Sequence, residues 1–131
     1  MTTTASTTTS SDSLLRMAMR VDAVLSGLCG IVLMAAAGPI SEFTGSSKVA
    51  EFSTGAVFVV YAVVVFLAAG LQRVRTAGVA TAIANLIFTA AAVLAVIELD
   101  LTTAGVVVML ASGVYTLVFA DLQYLGVRRI K

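Results

Sequence analysis

Histidine and tryptophan are both missing from this 131-residue sequence, and cysteine and proline occur once each. Without histidine there is no His-ligated haem and none of the common zinc sites. The single cysteine, Cys29, excludes an intrachain disulfide and any Cys-x-x-Cys redox pair. Charge is scarce as well: Asp, Glu, Lys and Arg make up 11% of the chain, where soluble domains carry about a quarter. The net charge of +1 leaves no concentrated basic surface for a nucleic acid. No phosphate-binding loop, metal cluster or nucleophile–base pair stands out, so the expectation is a non-enzyme with no cofactor and no metal.

Apolar residues fill the space that charge leaves. They make up 60% of the chain, and the mean hydropathy is +1.06. They fall into four continuous runs, at about 21–40, 55–71, 79–97 and 104–120. At ~1.5 Å per residue such runs reach roughly the 30 Å of a bilayer core. Backbone groups in lipid must pair within their own segment, and the runs show no period of two, so helices are predicted rather than strands. The short links 72–78 (QRVRTAG) and 98–103 (ELDLTT) make consecutive helices antiparallel neighbours. The predicted fold is an all-α membrane protein, a four-transmembrane-helix up-down bundle forming one domain over 14–131. Residues 1–13 (MTTTASTTTSSDS) are expected to be a disordered Ser/Thr-rich tail. The longer loop 41–54 carries Phe43, Val49 and Phe52 among polar residues, a pattern for an interfacial turn, and Ser47 is placed to start the second helix early.

The basic residues sort to one side of these runs. Arg16 and Arg20, Arg73 and Arg75, and Arg128, Arg129 and Lys131 share an end, while Lys48 alone lies opposite with Glu42, Glu51, Glu98 and Asp100. Basic residues on short loops stay cytoplasmic, so both termini are expected inside, in a bacterial inner membrane.

Two acids at the ends of the apolar runs break the sorting. Asp22 and Asp121 sit at the basic ends of the first and last runs, and carboxylates there are costly unless paired or hydrated. Spacings of three, four and seven place Asp121, Tyr124 and Arg128 on one helical face. Arg16, Arg20, Asp22, Asp121, Tyr124, Arg128 and Arg129 therefore form a candidate cytoplasmic-rim network. It either fixes helix ends at the headgroups or binds a proton, a cation or an anionic lipid headgroup; rim position favours the first. Deeper in the third run, Thr81, Asn85 and Thr89 make a polar stripe at i, i+4 and i+8, suited to hydrogen bonds between helices. Tyr61 and Tyr115 lie well inside the second and fourth runs and need hydroxyl partners, with Asn85 or a backbone carbonyl able to serve. Ser26 with Gly30, Gly78 with Ala82, and Ser112 beside Gly113 have the spacing of close helix contacts.

The stretch Arg20-Val21-Asp22-Ala23-Val24-Leu25-Ser26-Gly27, the AAAGP turn and the closing LQYLGVRR resemble small bacterial, actinobacterial-type four-span membrane proteins of no established function. The resemblance implies a fold and supplies no activity. Small size, short loops and the lack of any soluble domain suit an accessory or structural subunit of a larger membrane complex, such as a transporter or respiratory assembly. The alternative is a homo-oligomeric carrier or channel for a small lipophilic or cationic solute. It requires Asn85, Tyr61 or the two aspartates to face a common cavity.

Overall fold

The computed structural model describes residues 2–130, with side chains from Ser11 to Ile130. The described residues form five helices: α1 (Thr2–Ala35), α2 (Ala37–Thr44), α3 (Lys48–Ala68), α4 (Arg75–Glu98) and α5 (Thr103–Arg129). Four segments are long and apolar enough to cross a membrane, namely Ser11–Ala35 within α1 and the whole of α3, α4 and α5. The four-span helical bundle expected from composition is the fold observed.

α3 and α5 begin before their apolar stretches because polar caps set their starts, while α1 and α3 end short of the expected 40 and 71, at Ala35 and Ala68. Ser47 accepts the Ala50 N–H at 3.0 Å and starts α3 at Lys48, and Thr102 does the same for α5 through Gly105 at 3.0 Å. At its other end α5 continues past 120 to Arg129, where Arg128 and Arg129 in the last turn complement the helix dipole. α1 extends back through the Ser/Thr-rich segment expected to be disordered; adding residues to a nucleated helix fixes one residue per bond gained. The first apolar run, expected to about 40, breaks at Ala36; α2 takes its last residues and the start of the long loop and ends at Gly45, whose φ of 82° suits glycine, and α3 takes the rest of the loop from Lys48.

α1 packs along α3 and against α5, and α4 packs along α5, whereas α3 and α4 touch at few points. Small residues make these contacts. A Cβ on Gly30 would lie 2.6 Å from the Gly55 carbonyl, and one on Gly55 equally close to the Gly30 carbonyl, so α1 and α3 meet backbone to backbone. Leu15, fully buried, fits a notch formed by Gly78 of α4 and Gly126 of α5. Around it Met19, Val65, Ala69, Val74 and Val127 close the arginine-rich end as an apolar plug. The large apolar side chains mostly point outward, Leu67 and Ile97 each with 69% exposure, as lipid contact requires.

Each end carries a polar clasp. At the arginine-rich end the Arg16 guanidinium donates to the carbonyls of Ala69 (2.7 Å), Leu71 (2.6 Å) and Gln72 (3.2 Å) and pairs with Asp12 at 2.9 Å. It thereby caps the free carbonyls that end α3. At the opposite end Thr102 donates its N–H to the Thr44 carbonyl at 3.0 Å and its hydroxyl to the Phe43 carbonyl at 2.6 Å. The clasp ties α2 to the start of α5, where Gly105 gives the Thr44 backbone room.

Candidate functional site

Asp22 lies six residues beyond Arg16 on α1, about 9 Å further into the bundle at ~1.5 Å per residue. It is fully buried, and its side chain meets no arginine. Its Oδ2 accepts from the Tyr61 hydroxyl (2.7 Å), Asn85 Nδ2 (2.9 Å) and Gln123 Nε2 (2.9 Å). Its Oδ1 accepts from Ser26 Oγ and the Tyr115 hydroxyl, both at 3.1 Å. α1, α3, α4 and α5 all supply donors. Asn85 also donates to Gln123 Oε1 at 2.9 Å, which holds α4 to α5 beneath the carboxylate. An ionised carboxylate accepts and does not donate, and every group around Asp22 is a donor. Among the described residues the one ion pair is Arg16–Asp12, so the Asp22 carboxylate has neutral partners and no cation.

The expected rim network is not assembled in this form. Burial draws Asp22 inward to the hub, because the side of α1 that carries Leu15, Met19, Asp22 and Ala23 is the one turned to the bundle core. Arg16 is spent on the α3 carbonyls. Arg20, Asp121, Arg128 and Arg129 are exposed. Tyr124 is exposed as well, and the Arg128 guanidinium lies 5.8 Å over its ring, so only this i, i+4 pair of the network meets. The α4 stripe divides by role. Asn85 joins the hub, whereas Thr81 returns its hydroxyl to the Ala77 carbonyl of its own helix at 2.7 Å. Thr89 bridges to α5 through Thr116 (2.7 Å) and the Gly113 carbonyl (3.1 Å).

Gln123 is the hub residue that the sequence reading does not single out. Its signal was its spacing: Thr116, Ala120, Gln123 and Val127 recur at helical intervals and all are buried, so the glutamine lies on the inward face of α5. Tyr61 and Tyr115 find the carboxylate itself as partner, with Asn85 a further contact of Tyr61 at 3.2 Å.

On the side of the hub away from the arginines, the α1–α3 and α4–α5 pairs separate around a cavity of about 590 Å³, within the range of small-molecule pockets. Its polar end is formed by Ser26, Tyr61, Asn85 and Tyr115, the groups that surround Asp22; Ser112 and Thr116 also line it, with their hydroxyls turned to carbonyls of α5, and the rest of the wall is mostly apolar. No charged side chain lines it. Phe58 of α3 and Phe88 of α4, both at its wall, meet edge to face at 5.3 Å across the sparsely packed α3–α4 seam. Val57 and Ile87, lining residues on the same two helices, are each 64% exposed. The cavity therefore opens sideways, at the height of the bundle that lipid would surround, while the Leu15 plug closes the arginine-rich end.

Comparison with known proteins finds no match: no family model fits the chain, and no curated protein or solved structure is similar to it.

Proposed function

We propose that this protein is a membrane carrier-type binding protein, and that a small lipophilic solute lodges in the lateral cavity with its polar end against the Asp22 hub. One observation carries the reading: a pocket with mostly apolar walls and a polar end built on a buried carboxylate that has no cation. Bundle stability alone would be served by an apolar core, since a buried charge is costly even when hydrogen-bonded. Convergent polar groups at one end of an apolar pocket are the usual layout of a ligand site. The sideways opening supports a solute taken from the lipid phase. Asn85 and Tyr61 share this cavity, as the carrier alternative requires; Asp121 does not. The charge sorting supports an orientation with the arginine-rich end and both termini in the cytoplasm.

Native mass spectrometry of the protein released from its own membrane into mild detergent tests this. A small amphiphile should accompany the protein and be lost when Ala84→Leu with Ala111→Phe fills the cavity. Recovery bare of any small molecule, in a stoichiometric complex with a larger membrane protein that survives both substitutions, would overturn the reading in favour of an accessory subunit.

A further inference from the structure

We infer that the solute is a monovalent organic cation, an ammonium on an apolar body. The inference rests on the carrier-type reading of the cavity and adds its charge class. Two independent features of the wall point to it.

The first is the direction of the hydrogen bonds. Tyr61 and Tyr115 stand between the cavity and Asp22, and both hydroxyl protons are committed to the carboxylate. Each oxygen keeps acceptor capacity, shared at Tyr61 with Asn85 Nδ2 at 3.2 Å, and is made more negative by the carboxylate behind it. A ligand end meeting these oxygens must donate or carry positive charge; a carboxylate or phosphate would face two acceptors and a buried anion. The Asp22 carboxylate has no cation beside it and lies one hydroxyl behind the wall, where the low local dielectric of the bundle leaves its field little screened.

The second is the aromatic content. Of the chain's six phenylalanines and three tyrosines, Phe58, Tyr61, Phe88 and Tyr115 line this one cavity. Ring faces around a desolvated site attract a cation, and alkylammonium groups suit such cages because they are weakly hydrated. Leucine or valine would give the same apolar volume, so hydrophobicity alone does not call for rings here.

The test uses a matched set of probes in phosphatidylcholine nanodiscs: decyltrimethylammonium, decanol and decanoate, compared at equal concentration in the bilayer. The readout is the rate at which a membrane-permeant maleimide alkylates Cys29, the sole cysteine, which lines the cavity and is exposed. The cation should protect Cys29 at a concentration about tenfold or more below that of the alcohol, the size expected of desolvated cation–ring contact, and decanoate should be weakest. Phe58→Leu and Phe88→Leu should each weaken the cation several-fold more than they weaken the alcohol, and Asp22→Asn should remove the cation's advantage. Equal protection by cation and alcohol would overturn the charge assignment and leave the cavity reading standing. Absence of protection by all three would overturn both. Should Asp22→Asn fail to fold, the two phenylalanine variants still decide, since a cation advantage untouched by either refutes the cage.

Discussion

Replacing Asp22 by leucine removes the acceptor and keeps the bulk, and the fate of each donor sets the cost. Ser26 can turn back to the carbonyl of residue 22, four positions earlier on its own helix. Tyr115 already lies 3.4 Å from that carbonyl. Asn85 keeps Gln123 Oε1 at 2.9 Å. The Tyr61 hydroxyl and Gln123 Nε2 lose their acceptor. Two orphaned buried donors at ~1–3 kcal/mol each, moderated because the unfolded chain in a membrane also finds partners, give a loss of about 3 kcal/mol. Asp22→Asn behaves differently. Its amide oxygen can face Tyr61, Asn85 and Gln123 while its amide nitrogen faces the two hydroxyls of Ser26 and Tyr115, which rotate to accept. Its loss should stay below about 1 kcal/mol. Reversible unfolding in mixed micelles with increasing dodecyl sulfate, followed by far-ultraviolet circular dichroism, measures both. If the leucine variant is as stable as the parent, or the two variants lose equal amounts, the hub does not hold the bundle in the way described.

Gly126→Ala should cost about 2 kcal/mol, because the new Cβ would lie 2.7–2.8 Å from the Leu15 backbone and Cβ; Gly38→Ala, with nothing within 4 Å, should be neutral in the same titration. Arg16→Ala should free the carbonyls that end α3 and speed tryptic cleavage after Arg73 several-fold, with Arg16→Lys intermediate; an unchanged rate would show the clasp to be idle. Thr89→Val should lose about 1 kcal/mol through the Thr116 and Gly113 contacts, and a Thr116→Val partner in a double-mutant cycle should show the two effects to be coupled. In a Cys29→Ser background, an impermeant maleimide applied to intact cells should label Ser46→Cys and spare Thr76→Cys; the reverse would refute the proposed orientation.

The spans were legible because continuous apolar runs have one solution in lipid, and Ser47 was readable as a helix start because its hydroxyl suits a cap. The hub was half legible. Asn85, Tyr61 and Tyr115 announce themselves as polar groups inside apolar runs, each needing a partner. Their common partner was hidden because Asp22 lies close in sequence to Arg20, and neighbours in sequence suggest pairing. On a helix two residues apart point nearly opposite ways, so Arg20 faces outward while Asp22 faces the core. The pairs Gly30–Gly55 and Leu15–Gly126 were beyond reach for another reason: which small residues meet depends on helix rotation, and helices apolar all round do not reveal it. The cavity is a property of two helix pairs diverging, and no single segment encodes it.

The hub also imposes an order on how the protein is made. Asp22 lies on α1, which leaves the ribosome before α3, α4 and α5, and its partner Gln123 is 101 residues later. At ~5–20 residues per second, roughly 5–20 s of synthesis separate the two. During that interval a carboxylate in the first span has no completed set of donors, and exposure at the centre of a bilayer would cost about 3 kcal/mol on insertion scales. α1 therefore requires shelter, at the insertion machinery or against α3 once Tyr61 has emerged, until α5 arrives. Slowing translation between Asn85 and Gln123 should lengthen the time for which α1 remains crosslinkable to the insertion site.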